Sequence, residues 1–268
     1  RSSFQAMLQY TGGTTGIAKG AMLTHSNLVS NVLQSDAFFA THSLEGRGET
    51  ILQPLPVYHI YAFTASMYAL RIGAHTAFVP NPRDLASVVK AFSDYQPSLF
   101  CGLTTLFVAL CEDVNFQALD FSKLKVTLSG GMALTKDAAK RWQEVTGCEI
   151  SEGYGLTETS PTVSANPGNG RRIGTIGIPM PDTEIEIRDT EHLFYQLNEF
   201  QSELEIHSSN RQQTWKPNVR AMTRNWLNMG LRPRAVTRDL EWGIEVPIKD
   251  IEWANKRVYV WFEAVQGY

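Results

Sequence analysis

The sequence predicts a mixed α/β protein, and three observations carry that reading. Met7-Leu8-Gln9-Tyr10 is a short strand-like run that opens directly into a glycine-rich loop. From Ile178 to Ile187 apolar and polar residues alternate, the two-residue period of a strand. Between Glu191 and His207, Leu193, Leu197, Phe200 and Leu204 fall at helical spacing, which predicts an amphipathic helix.

Taken in order, the first element to explain is the loop after Tyr10. Thr11-Gly12-Gly13-Thr14-Thr15-Gly16-Ile17-Ala18-Lys19-Gly20 is dense in glycine and hydroxyls and carries one lysine. Glycines let backbone N–H groups turn toward an anion without interference from a Cβ atom. Hydroxyls add donors, and lysine adds a point charge suited to phosphate. The common P-loop needs Gly-Lys followed by Ser or Thr, whereas Lys19 follows Ala18 and precedes Gly20. A loop of this kind also serves as a plain surface turn; the hydroxyl density and the lysine shift the balance toward phosphate.

Further along, Trp226-Leu227-Asn228-Met229-Gly230-Leu231-Arg232-Pro233-Arg234 reads as a helix end, a glycine stop and a proline-containing turn. Arg257-Val258-Tyr259-Val260-Trp261-Phe262 is apolar, β-branched and aromatic, so it predicts a buried strand. Tryptophan is unevenly placed. Trp142 stands alone in the first stretch, while Trp215, Trp226, Trp242, Trp253 and Trp261 crowd the last. Cys101, Cys111 and Cys148 all precede that change, form no Cys-x-x-Cys pair, and are expected to be buried free thiols of a cytoplasmic protein. A chain of 268 residues with formal charge −3 has no bulk positive field for coating nucleic acid. No run reaches the roughly 18 apolar residues of a membrane span. Arg1 to Gln5 lack the apolar core of a signal peptide. The start without Met and the stop after an apolar run suggest that both ends are cut.

Several ordered motifs add a resemblance. Tyr10 to Gly20, Pro54-Leu55-Pro56-Val57-Tyr58-His59, Leu128-Ser129-Gly130-Gly131-Met132-Ala133-Leu134, Ser151-Glu152-Gly153-Tyr154-Gly155-Leu156-Thr157-Glu158 and Gly174-Thr175-Ile176-Gly177-Ile178-Pro179 resemble, in order, the motifs of the acyl-adenylate-forming superfamily. The flavour is that of long- or medium-chain acyl-CoA synthetases, over about residues 1 to 189. The resemblance implies ATP and Mg²⁺ as cofactors and fatty acid and coenzyme A as partners. It implies that Thr11, Thr14, Thr15 and Lys19, with Gly12, Gly13 and Gly16, hold the β- and γ-phosphates. Gly130, Gly131 and Tyr154, flanked by Gly153 and Gly155, line the adenine. Thr157 meets the α-phosphate, Glu158 holds Mg²⁺, and His59 sits on the acyl and thioester side. Read singly, His59 is equally a packed loop histidine and Glu158 a surface acid.

From Thr190 onward a second resemblance begins. Thr190-Glu191-His192-Leu193-Phe194-Tyr195, Asn225-Trp226, Thr237-Arg238-Asp239-Leu240-Glu241-Trp242-Gly243 and Tyr259 to Tyr268 are similar to methionyl-tRNA synthetase, in the later part of its Rossmann-type catalytic domain. This implies methionine and tRNA as partners. Trp261, Ala264, Val265 and Tyr268 match positions lining the methionine pocket, an aromatic and apolar setting that suits a thioether. Arg238 matches an arginine near the adenylate phosphate. Gln266 departs from the usual Ile, and in this truncated context Trp261 reads more readily as an ordinary core tryptophan than as part of a working pocket. The expected organisation is therefore a partial acyl-adenylate-forming domain, residues 1–189, followed by a partial class I synthetase segment, residues 190–268. The first lacks the ribose-binding Asp, hinge and lid lysine expected after the Gly-x-Pro turn. The second lacks its His-x-Gly-His and Lys-Met-Ser-Lys-Ser segments. The sequence thus leads to an expectation of ATP-dependent carboxylate adenylation with poor turnover. Its alternatives are a methionine–tRNA ligase fragment or a nucleotide-binding remnant of a fused or misassembled gene.

Overall fold

The computed structural model describes residues 3–11, 19–40, 44, 46–211, 214–215, 217–240 and 243–259. They fall into two units that divide between Glu186 and Ile187.

The first unit opens with β1 (Gln5–Thr11) and β2 (Lys19–Thr24), an antiparallel pair in which Thr11 lies opposite Lys19. It continues through α1 (His25–Phe39), β3 (Thr50–Gln53), α2 (Ile60–Ile72), β4 (His75–Phe78) and α3 (Leu85–Tyr95). Next come β5 (Leu99–Gly102), α4 (Thr104–Glu112), α5 (Val114–Gln117), β6 (Val126–Ser129) and α6 (Lys136–Thr146). The last strands are β7 (Ile150–Gly155), β8 (Thr162–Ala165) and β9 (Ile178–Pro179). A seven-stranded sheet runs in the order β4-β3-β5-β6-β7-β8-β9. Its first five strands are parallel, and β8 and β9 add antiparallel pairs at one edge. A parallel sheet needs helices on both faces, so its central strands are apolar throughout rather than alternating. All four residues of β5 are buried. Phe100 joins a core with Val88, Phe92, Phe107, Leu110 and Trp142, whereas Leu99 and Cys101 join Phe39, Ile51, Tyr68 and Val126. A third cluster of Leu23, Leu28 and Ile60 ties β2 to α1 and α2.

Local chemistry sets where the helices begin. Thr24 and Asn27 form a reciprocal capping box at the start of α1, with Asn27 N–H donating to Thr24 Oγ1 at 3.2 Å and Thr24 N–H to Asn27 Oδ1 at 2.9 Å. Asp84 and Thr135 cap α3 and α6 in the simpler way. The three cysteines are buried and unpaired, as expected.

The second unit contains β10 (Phe194–Tyr195), α7 (Gln201–Arg211), α8 (Pro217–Asn228), β11 (Arg234–Ala235), β12 (Thr237–Asp239) and β13 (Lys256–Val258). Its strands form two antiparallel pairs, β10 with β11 and β12 with β13. Lys256 is buried, and its ammonium donates to Asp239 Oδ1 at 2.7 Å and Thr190 Oγ1 at 3.0 Å.

Two sequence expectations need correction. The strand expected over 178–187 is only Ile178–Pro179, because Pro179 and Pro181 remove ladder donors and Asp182 takes φ 54°. Ile187 beyond it is exposed. The helix expected over 191–207 begins only at Gln201. Phe194 and Tyr195 instead pair with Ala235 and Arg234, and a 3₁₀ turn over Leu197–Phe200 stacks Phe200 on Tyr195 at 5.6 Å. Long-range pairing overrode the helical period there. The helix end and glycine stop around Gly230 are as expected, with α8 ending at Asn228 and Gly230 at φ 76°. Of the strand expected over 257–262, Arg257 and Val258 belong to β13 and are half-buried, Tyr259 follows it, and 260–262 lie outside the described residues. Among the described residues no helix is long and apolar enough to cross a membrane.

Candidate active site

In an open parallel sheet the carboxyl ends of the strands, and the loops leaving them, form the natural binding edge. The first unit gathers its motif residues there. A cavity of about 320 Å³ is lined by His59, Gly130, Gly131, Gly153, Tyr154, Gly155, Thr157 and Glu158, which come from three separate segments. The segment ending in His59 follows β3, the Gly130–Gly131 loop follows β6, and Gly153 to Glu158 finish β7 and turn out of it.

His59 is exposed and serves as the N-cap of α2, with its Nδ1 accepting the Tyr61 N–H at 3.2 Å. That bond leaves the proton of the neutral ring on Nε2. The Gly130–Gly131 loop passes close to Tyr61: a Cβ on Gly130 would lie 3.4 Å from the Tyr61 ring, and Gly131 takes φ 77°. Gly155 is tighter still, since a Cβ there would stand 2.2 Å from the Pro161 carbonyl oxygen. This close approach lets the chain fold back on itself. The Leu156 N–H donates to the Pro161 carbonyl and to Thr159 Oγ1, which holds Thr157 and Glu158 at the cavity. Tyr154 and Glu158 are exposed.

The wall also contains residues that motif reading missed. Tyr61, Thr64, Ala65 and Tyr68 of α2 all face the cavity at i, i+3, i+4 and i+7. That helical period was present in the sequence and could have found them. Phe39, Ile51, Leu99, Cys101 and Ala165, members of the second core cluster, continue the lining. This part of the wall is uncharged at neutral pH. Burial pushes the Cys101 thiol and the Tyr68 hydroxyl each up to about 12, and lifts the Tyr61 hydroxyl well above the usual tyrosine range, with Cys101 beside it adding to the effect. Tyr61 donates its hydroxyl to the Leu128 carbonyl at 3.1 Å. The cavity therefore joins a polar rim of histidine, threonine and carboxylate to an apolar interior.

β1 and β2, the strands on either side of the glycine-rich sequence, border this region. Thr11 and Lys19 are paired across β1 and β2, and β2 packs against the 157–159 turn. Gln9 Nε2 donates to the Tyr58 carbonyl at 2.8 Å, which fastens β1 to the segment carrying His59. Gly12, Gly13, Thr14, Thr15 and Gly16, and the side chains of Thr11 and Lys19, lie outside the described residues. So do Trp261, Ala264, Val265 and Tyr268.

Arg238 belongs to the second unit. Its guanidinium lies 4.2 Å from the Tyr259 ring centroid and donates to the Thr237 carbonyl at 2.8 Å. Near it His192 Nδ1 lies 3.1 Å from Thr237 Oγ1, and burial, with Lys256 adding to it, lowers the imidazole pKa. The described residues contain no cluster of three metal-ligating side chains. A single carboxylate at Glu158 still fits Mg²⁺, which is commonly held by one or two carboxylates plus substrate phosphates.

Residues 4–210 match the family model described as AMP-binding enzyme, and residues 178–268 match that described as tRNA synthetases class I (M). A long-chain-fatty-acid–CoA ligase of Haemophilus influenzae is 46% identical over 188 residues, covering 68% of this chain and 33% of the relative. The chain thus spans about one third of the length of such curated relatives. A methionine–tRNA ligase of Chlorobium limicola is 44% identical over 131 residues, covering 44% of this chain and 18% of its own length. Among solved structures, a malonyl-CoA ligase ternary product complex with methylmalonyl-CoA and AMP superimposes with a TM-score of 0.60 at 25% identity, over 71% of this chain and 42% of that one.

Proposed function

From the premise that this chain belongs to the AMP-binding enzyme family, we propose that its first unit binds ATP and a long-chain fatty acid and joins them as an acyl-adenylate. A carboxylate oxygen attacks the α-phosphorus, the bond to the β-phosphate oxygen breaks, and pyrophosphate leaves. The observation that carries the reading is the single cavity that unites His59, Gly130, Tyr154, Thr157 and Glu158 with an apolar interior. Two anions must meet for this reaction, so the protein's task is to position them and neutralise charge. Tyr154 offers a ring face for the adenine beside the close-packed Gly130–Gly131 loop. Thr157 offers a hydroxyl to the α-phosphate. Thr14, Thr15 and Lys19 serve the β- and γ-phosphates, with the backbone of Gly12, Gly13 and Gly16. Glu158 would hold Mg²⁺, which would supply charge neutralisation on the phosphates. The uncharged wall of Phe39, Ile51 and Leu99 accommodates an alkyl chain through area burial. His59, capping α2, stands on the acyl side, where coenzyme A would meet the adenylate.

The test is pyrophosphate release from ATP with a fatty acid, with and without coenzyme A. Lys19→Ala and Glu158→Ala should each weaken ATP binding by about 1.5–3 kcal/mol, the range for charge-assisted hydrogen bonds. Unchanged ATP titration in both variants would refute the assignment.

The match over residues 178–268 supports a second reading, a methionine-binding segment related to methionine–tRNA ligases. Arg238 would serve the adenylate there, although its guanidinium is already engaged by Tyr259 and Thr237. Methionine-dependent pyrophosphate exchange, absent with fatty acid alone, would distinguish it.

A further inference from the structure

Glu152 lies one residue before the Gly153-Tyr154-Gly155 segment and is almost fully buried, yet it does not line the cavity. Its Oε1 accepts the N–H of Leu134 at 2.9 Å, near the end of the loop that leaves β6 at Ser129 and carries Gly130 and Gly131. In the parallel pairing of β6 with β7, Glu152 lies directly opposite Ser129, the last residue of β6 before that loop. Register partners in a sheet present their side chains on the same face. Two residues earlier on β6, Thr127 accepts the Trp142 indole N–H at 3.0 Å, which fixes this face as the one against α6. Glu152 Oε2 and Ser129 Oγ are both buried with no hydrogen-bond partner among the described residues. Two buried oxygens left unpaired at adjoining register positions are uncommon, because an unmet buried polar group is costly. A hydrogen bond from the Ser129 hydroxyl to Oε2 would satisfy both.

We propose that Glu152 is a positioning residue that clamps both ends of the Ser129–Leu134 loop, holding the Leu134 N–H with one carboxylate oxygen and the Ser129 hydroxyl with the other. The clamp fixes the close passage of Gly130 over Tyr61 and so shapes the cavity wall without touching a ligand. Burial raises the Glu152 pKa, with the Leu134 N–H opposing, and an amide of the same shape keeps an acceptor for that N–H. The functional consequence rests on the adenylation reading, in which this loop borders the adenine.

The test is amide hydrogen exchange on the full chain, read at Leu134 and across the sheet, paired with ATP titration. Glu152→Ala should speed exchange at Leu134 about tenfold and leave β5 and β6 amides unchanged. Glu152→Gln keeps the acceptor oxygen and should restore slow exchange. ATP affinity should fall about fivefold in the Ala variant and recover in the Gln variant. If Glu152→Ala fails to fold, Ser129→Ala replaces it and should show a smaller acceleration at the same amide. Unchanged exchange at Leu134, acceleration spread evenly through the sheet, or failure of Gln to restore it would overturn the clamp. Faster exchange with unaltered ATP affinity would overturn the positioning role. If the unsubstituted chain binds no ATP, the adenylation reading falls by itself, and exchange at Leu134 still decides the clamp.

Discussion

Trp142 in the first unit and Lys256 in the second are both buried against neighbouring strands, and they hold their surroundings by opposite means. Trp142 stacks on Phe100 with ring centroids 5.6 Å apart and touches Phe92, Phe107 and Phe116, while its indole N–H is met by Thr127. Lys256 sends its ammonium to Asp239 and Thr190. Around Trp142 the core is a continuous apolar layer on one face of a sheet. In the second unit Val246 is the only buried apolar side chain among the described residues. Burial of aromatic area is non-directional and accumulates with every neighbour. A buried ammonium is stabilised only while its oxygen partners stay in place. The first unit should therefore tolerate changes at its rim, and the second should depend on a few polar contacts and on pH.

The strongest way to break this contrast is Trp142→Ala, expected to cost the first unit on the order of 3–5 kcal/mol, as large-to-small changes in packed cores do. Urea unfolding followed by far-UV circular dichroism measures it; a loss near zero would mean that the aromatic layer does not hold the unit. Next comes Lys256→Met, which keeps the stem and removes the charge. Asp239 is held below the usual carboxylate range, first by its hydrogen bond from Lys256 and then by that from Thr190. A depressed carboxylate pKa contributes stability above the ordinary range and loses it as pH falls through the lowered value. In the Met variant the Asp239 titration should move back up toward ordinary, read by NMR of the side-chain carboxyl; an unmoved titration would show that the ammonium is incidental. The smallest expected effect is at Glu152, where the sign reverses. A raised carboxyl pKa means that stability is greatest at acid pH and declines as pH climbs from the unfolded value through the folded one. Glu152→Gln should flatten that decline just above the ordinary carboxylate range and leave the first unit slightly more stable at neutral pH. A steeper dependence in the Gln variant would contradict it.

Much of the first unit was legible because its chemistry is local. Met7 to Tyr10 sits within β1, the cysteines are buried, and Gly130, Gly131, Gly153 and Gly155 line one cavity at strand ends. The α2 wall was equally present as a helical period at Tyr61, Thr64, Ala65 and Tyr68, but nothing in the motif order drew attention to it. Glu152 was inside a recognised motif and still went unremarked, because its partner Leu134 is distant in sequence and only the β6–β7 register joins them. In the second unit the helix expected from Leu193 to Leu204 was lost to pairing with Arg234 and Ala235. A periodic pattern reports what a segment prefers alone, and the two-residue pairing of Phe194 and Tyr195 depends on chain forty residues away.

β2 passes into α1 with no intervening residue, Thr24 closing the strand and His25 opening the helix. From α1, Asn31 grips both backbone groups of Thr162, accepting its N–H at 3.0 Å and donating to its carbonyl at 2.8 Å. Gln34 reaches the Pro181 carbonyl at 2.6 Å. Mechanically, this is a strut whose near end is Lys19 and whose far end is bolted to the strand that follows the Thr157–Glu158 turn. A displacement of β2 is therefore carried through α1 to Thr162 of β8, which itself lines the cavity.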